Sequence, residues 1–328
     1  MTSIAMRSKN DIAIIDDATM LLPRPLRGIM TPMATPLAGP DALDRPAVER
    51  HLERLIAGGV SGVFILGTTG EGPGLSYRLR AELVDQVCSV VAGRVPVLVS
   101  ITDTSITETV NFARHAAQAG AAGLVLAPPY YFELTQPELL RYLERLTPEL
   151  PRPVYLYNIP SLTKTHFAPA TVRAAADLTN VYGIKDSSGD MTYFAEVIRK
   201  LADRPDFAIL CGPEESLAQA MAMGAHGGIS GGSNLWPELF VALYQAALNQ
   251  EKGRIAELQI IVAEIGSVYN LTPEGSSYLR GMKCALSVLD YCRNVMAEPY
   301  EPFGPAETER IRATFRKLGL LDGKKRVI

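Results

Sequence analysis

The chain has little of what would build a disulfide scaffold or a metal centre. Its 328 residues include four cysteines and four histidines. Cys88, Cys211, Cys284 and Cys292 are scattered and never spaced Cys-x-x-Cys. His51, His115, His166 and His226 form no His-x-x-x-His or His-x-x-Glu-His pair. Structural zinc is thereby disfavoured, and reduced core thiols in a cytoplasmic protein are expected. Net charge is also scarce. A formal value of −3 gives no electrostatic reason to expect nucleic acid or an acidic membrane as partner. No stretch reaches the ~20 apolar residues of a membrane span. The start, Met1 to Arg27, interrupts its apolar residues with Asp11, Asp16 and Asp17, which makes a poor secretory signal. Residues 1–25 read as a loosely ordered N-terminal extension, and the terminal Lys324-Lys-Arg as a solvated tail.

What is present is core. The composition is 47% hydrophobic and 20% charged, that of a soluble globular protein. From Leu26 onward, short apolar runs alternate with amphipathic stretches. Strands are predicted at 27–31, 61–66, 95–99, 122–127, 153–157, 181–185, 207–211 and 226–230. They are apolar continuously, as strands covered on both faces should be. Helices are predicted near 45–58, 76–92, 106–119, 136–146, 168–177, 190–202 and 214–223. Eight strand–helix repeats count out an α/β fold, a (β/α)8 TIM barrel. A doubly wound sheet would want Gly-x-Gly-x-x-Gly after its first strand, where this chain has Pro-Met-Ala-Thr-Pro. Residues 26–235 are assigned to the barrel core. Residues 236–328 hold a barrel-closing helix and a C-terminal helical appendage, with helices at 236–250, 252–269, 275–295 and 306–318.

Three strands run into turns that carry chemistry. Lys185 ends Val181-Tyr-Gly-Ile-Lys, Tyr157 ends Pro153-Val-Tyr-Leu-Tyr, and Gly62-Val-Phe-Ile-Leu enters Gly67-Thr-Thr-Gly-Glu71. In a parallel barrel these ends meet at one mouth. An amine beside a phenol is the equipment for Schiff-base chemistry on a carbonyl. A free lysine has a pKa of ~10.4, so only about one in ~2500 is neutral at pH 7. An apolar setting disfavours the charged form. Tyr155 and Tyr157 share one strand face by period two. The Gly67-Thr-Thr-Gly-Glu71 turn lacks the Gly-Lys-Ser/Thr of a nucleotide loop, and its backbone with Thr68 and Thr69 suits a carboxylate better than a triphosphate. Gly227-Gly-Ile-Ser-Gly-Gly-Ser233 stays open between a phosphate site and backbone groups facing a keto acid.

Taken together, these segments resemble the dihydrodipicolinate synthase / N-acetylneuraminate lyase family of class I aldolases. The resemblance spans residues 26–318. It rests on Gly-Thr-Thr-Gly-Glu at 67–71, Pro-Tyr-Tyr at 129–131, Tyr-Asn-Ile-Pro at 157–160 and Gly-Ile-Lys-Asp at 183–186. It implies that Lys185 forms an imine with pyruvate or another 2-oxo acid and that Tyr157 is the acid/base. Thr68 then stands between Tyr157 and a second tyrosine, Tyr131, which reaches the site of a neighbouring subunit. Gly67 and Thr69 help hold the carboxylate, and the backbone near Ile229 faces the keto acid. The family is typically a homotetramer, a dimer of dimers, and uses no metal and no organic cofactor.

One departure bears on the substrate. Synthases of the family continue Tyr-Asn-x-Pro-x-Arg-Thr-Gly, and the arginine grips the aldehyde's carboxylate. Here Leu162 stands in that place and Lys164 replaces the glycine. Leucine offers no bidentate fork. Ser187, Glu214 and Glu215 fall where the resemblance puts the distal part of a substrate, although the glutamates read equally as the acidic first turn of a helix. The expectation is a lyase cleaving a 2-oxo acid, such as a 2-keto-3-deoxy sugar acid, to pyruvate and an aldehyde. Alternatives are condensation of pyruvate with aspartate semialdehyde, dehydration of a sugar acid, and a non-catalytic keto-acid-binding barrel.

Overall fold

The computed structural model describes residues 22–321. The eight apolar runs form parallel strands: β1 (Gly28–Pro32), β2 (Gly62–Ile65), β3 (Val97–Ser100), β4 (Gly123–Leu126), β5 (Val154–Asn158), β6 (Val181–Asp186), β7 (Ala208–Cys211) and β8 (Gly227–Gly228). Each pairs with its sequence neighbour, and β8 returns to β1 through Gly28↔Gly227, closing the barrel. The runs are continuously apolar because alternate residues serve two cores. Val63, Ile65, Val97, Val99, Val154, Leu156 and Ile184 point outward into the layer shared with the helices. Met30, Phe64, Leu98, Val125, Tyr155, Tyr157 and Leu210 fill the interior. Period two therefore carries Tyr157 and Lys185 inward, each one position after an outward residue, Leu156 and Ile184, that fixes the phase of its strand.

The surrounding helices are α1 (Arg45–Ala57), α2 (Tyr77–Val91), α3 (Ile106–Ala119), α4 (Gln136–Leu146), α5 (Pro169–Ala175), α6 (Met191–Lys200) and α7 (Leu217–Met223). Asp44 caps α1 by accepting from the Ala47 N–H, and Asp190 caps α6 by accepting from Thr192 and Tyr193. Gly120 follows α3 in the left-handed region, where a glycine carries no steric cost. The segment expected as one helix from 214 begins instead with a 3₁₀ turn, Glu214–Ser216. Two short features lacked a clear signal in the sequence: a hairpin of Leu37–Gly39 with Ala42–Leu43, and one helical turn at Pro160–Thr163.

After β8, α8 (Pro237–Leu248) packs on β1 and α7 and completes the ring. Then come α9 (Lys252–Gly266), α10 (Ser277–Val288) and α11 (Pro305–Leu318). The helix expected over 275–295 stops at Val288, since Asp290 turns to a φ of 62°. Of the expected N-terminal extension, residues 1–21 lie outside the described residues, as does the 324–326 tail. Among residues 22–25, Leu22 and Pro25 are half-buried and Pro23 and Arg24 are exposed. Leu22 rests on the interior cluster at the strand N-terminal ends, and Arg24 pairs with Asp206 at 2.6 Å while lying over the Tyr182 ring.

Candidate active site

Lys185 ends inside the barrel mouth and is 5% exposed. Its Nζ lies 4.3 Å from the centre of the Tyr157 ring and 5.3 Å from that of Phe64. The two rings meet edge to face at 6.1 Å, so the amine has an aromatic floor. β5 and β6 place Tyr157 directly beside Lys185 in register. One residue on, the Asn158 carboxamide donates to Asp186 at 2.7 Å and accepts from the Phe167 N–H at 3.0 Å. Asp186 also accepts from the Ser188 backbone and hydroxyl. Burial raises the Asp186 carboxyl above its usual range, and these hydrogen bonds oppose that rise.

The turn after β2 brings the hydroxyls. Thr68 Oγ1 is 3.4 Å from the Tyr157 hydroxyl, at the long end for a hydrogen bond that a ligand could tighten. Thr69 Oγ1 is 2.9 Å from the hydroxyl of Tyr278. Leu66 and Glu71 take φ values of 61° and 57° around this turn. Gly72 must be glycine because a Cβ there would overlap the Leu66 carbonyl oxygen. Asn234, after β8, ties the mouth together. It accepts from the Ala34 N–H and donates to Pro32 and Gly231 carbonyls, while His51 Nε2 sits 3.0 Å from its Oδ1.

Lys185, Tyr157, Thr68, Thr69, Ser187, Glu214, Glu215 and Ile229 all line one cleft of about 570 Å³. Among the described residues lining it, Lys185 is the sole cation. Glu214 is buried and accepts from the Gly232 N–H at 2.6 Å. Burial pushes its carboxyl up to about 7, against the pull of that hydrogen bond. Burial and then the Glu214 charge push the Tyr269 phenol up beside it.

Four residues singled out in the sequence lie elsewhere. Gly67 is buried beneath the turn, where a Cβ would press on the Phe64 ring. Leu162 sits on the short Pro160–Thr163 turn, 55% exposed and away from the cleft lining. Lys164 ends that turn, exposed, with a φ of 62°, a conformation that explains why a glycine would suit the position. Tyr131 is 70% exposed and lines a different groove with Phe132, its ring 5.0 Å away. Within one chain it does not reach Lys185's cleft. Sequence reasoning missed Tyr269 and Tyr278, which enter from beyond the barrel and follow no strand end.

A model of the Dihydrodipicolinate synthetase family matches residues 25–318. The chain is 33% identical over 278 residues to a probable 2-dehydro-3-deoxy-D-pentonate aldolase, YjhH, of Escherichia coli, covering 84% of this chain and 92% of that one. It superimposes on dihydrodipicolinate synthase from Bacteroides thetaiotaomicron with a TM-score of 0.88 and 47% identity, over 91% of this chain and 100% of the other. YagE of E. coli, solved in complex with pyruvate, gives a TM-score of 0.85 at 29% identity, over 90% and 99% of the two chains.

Proposed function

The chain belongs to the dihydrodipicolinate synthetase family and is a lyase of the class I aldolase type, and from that premise we propose that Lys185 carries its chemistry as an imine with pyruvate. The observation that supports this most is the buried Lys185 amine, in register with Tyr157 and floored by two rings. An amine beside a phenol is the equipment for attack on a carbonyl.

In the cleavage direction Lys185 Nζ adds to the C2 carbonyl of a 4-hydroxy-2-oxo acid. The carbinolamine oxygen takes a proton through Tyr157 and leaves as water, giving a protonated imine. Tyr157 then accepts the C4 hydroxyl proton while the C3–C4 bonding pair moves into the imine. The aldehyde departs, the enamine regains a proton at C3, and water releases pyruvate and the free amine. Thr68 bridges Tyr157 toward solvent or toward a partner subunit's Tyr131. Thr69, the turn backbone and the backbone at Ile229 hold the pyruvate carboxylate. The exposed Tyr131–Phe132 pair supports a homotetramer in which that face is covered. The setting we propose is cytoplasmic.

For the aldehyde half we favour a hydroxylated, uncharged fragment, as in a 2-keto-3-deoxy sugar acid. Beyond Lys185 the cleft offers acceptors and hydroxyls, Ser187, Glu214, Tyr269 and Tyr278, and no second cation among the described residues. A carboxylate-bearing aldehyde would face Glu214 without a counter-charge. The resemblance to the YjhH aldolase points the same way. The synthase reading has its own support in the 47% identity to the Bacteroides synthase. A panel separates them, scoring pyruvate release from 2-keto-3-deoxy acids, N-acetylneuraminate and 4-hydroxy-2-oxoglutarate beside condensation with aspartate semialdehyde. For the imine itself, borohydride with pyruvate should add the reduced adduct to Lys185. Labelling that persists in Lys185→Ala, or falls on another lysine, would sink the assignment.

A further inference from the structure

The chain holds a second buried lysine that the proposed reaction does not use. Lys283, in α10, is 1% exposed and pairs with Glu71 at 2.7 Å, the two side chains being 1% and 2% exposed. Its Nζ also donates to the Thr35 carbonyl at 2.6 Å and the Val295 carbonyl at 2.9 Å. Its nitrogen thus faces one carboxylate and two carbonyl oxygens, and these contacts hold the side chain in place. The other Glu71 oxygen accepts from the Ala297 N–H at 2.8 Å. Glu71 is the last residue of the turn that carries Thr68 and Thr69, and the Thr35 hydroxyl donates to Gly70 of the same turn at 2.7 Å. Five residues before Lys283, Tyr278 reaches the Thr69 hydroxyl at 2.9 Å. It comes close because Gly231 has no side chain, since a Cβ there would overlap the Tyr278 hydroxyl.

Resting on the reading that the cleft takes a 2-oxo acid at Lys185, we infer that α10 is a working half of the carboxylate-binding turn. Tyr278 sets the Thr69 hydroxyl, and Lys283 fixes the turn's backbone through Glu71. Both are positioning residues. A threonine hydroxyl alone samples several rotamers, and each wrong one weakens the grip on the keto acid. A bonded phenol selects one. The turn also contains two non-glycine residues at positive φ, Leu66 and Glu71, and the buried pair is what opposes their relaxation.

The test reads the pyruvate concentration that half-saturates borohydride trapping on Lys185, by intact mass. Wild-type protein that traps no pyruvate would count against the proposed function and not against this inference. Tyr278→Phe keeps the ring and loses one oxygen. It should leave the melting temperature near wild type and raise the half-saturating pyruvate by about 2–10-fold, the weight of one neutral hydrogen bond. Glu71→Gln and Lys283→Met each strand a buried partner and should lower the melting temperature strongly. The double variant removes both charges and should regain much of that melting temperature while its half-saturating pyruvate stays raised. A structural clamp alone would restore both together. Wild-type titration by Tyr278→Phe, or by a double variant of recovered stability, overturns the inference.

Discussion

The Asn158 carboxamide donates to the Asp186 carboxylate at 2.7 Å, one step beyond the register pair Tyr157–Lys185. Both side chains are buried, at 1% and 3% exposure, so this bond has no competing water. It fixes how far the two strand ends splay, and with them the spacing of amine and phenol. Asn158→Ala should leave Asp186 and the Phe167 N–H short of a partner, at a cost of about 1–3 kcal/mol in stability. It should also slow imine trapping at saturating pyruvate by roughly 10–100-fold, the scale on which misplaced reacting groups act. An unchanged trapping rate would return Asn158 to a purely structural role.

Tyr157→Phe removes one oxygen and keeps the edge-to-face contact with Phe64. Unfolding should shift little. Turnover should fall by roughly 10²–10⁴-fold, the usual weight of a positioned acid/base. Near-normal turnover would make Tyr157 a packing residue whose hydroxyl is incidental.

Glu214 gives a pH signature of known sign. Its carboxyl is raised from an ordinary 4.5 to about 7, mainly by burial. Between those values the folded protein keeps a proton that the unfolded chain has released. Its share of stability is therefore present at low pH and lost as pH rises from 4.5 to about 7. His51 works oppositely. Burial, then the Arg54 charge, lower it from 6.5 to about 3, so its share is lost as pH falls through that range. Subtracting the unfolding free energies of Glu214→Gln from those of wild type cancels His51. The difference should fall with rising pH across the Glu214 window and flatten above it. A flat difference would mean that Glu214 titrates normally.

The barrel was legible because every strand is apolar on both faces, a pattern that burial between interior and helices dictates. Lys185, Tyr157, Thr68 and Thr69 were legible for a related reason: each directly follows such a run. Tyr278 and Lys283 were not. They lie in an amphipathic helix whose period accounts for any residue equally well, and their partners Thr69 and Glu71 are remote in sequence. The left-handed Lys164 and the turn at Pro160–Thr163 were hidden too, since leucine and lysine carry no turn chemistry of their own.

Leu162 is where the substrate question can be decided. It stands on the short turn after Tyr157, 55% exposed, with the exposed Lys164 closing that turn. A leucine side chain from there contributes no charge to the cleft. A guanidinium at the same place would bring a cation with the fork that suits a carboxylate. Aspartate semialdehyde should therefore be a poor acceptor for wild-type protein and hydroxylated aldehydes better ones. Leu162→Arg should raise condensation with aspartate semialdehyde by about 10–150-fold, the worth of a charge-assisted bond of ~1.5–3 kcal/mol. It should lower cleavage of the hydroxylated substrate in the same protein. Lys164→Ala serves as the control, because a lysine two residues along could swing inward and supply the missing charge. Efficient wild-type condensation that disappears in Lys164→Ala would transfer the carboxylate grip to Lys164 and establish the synthase reaction. Weak condensation that Lys164→Ala leaves unchanged, and that Leu162→Arg strengthens, leaves the hydroxylated acceptor as the substrate this cleft selects.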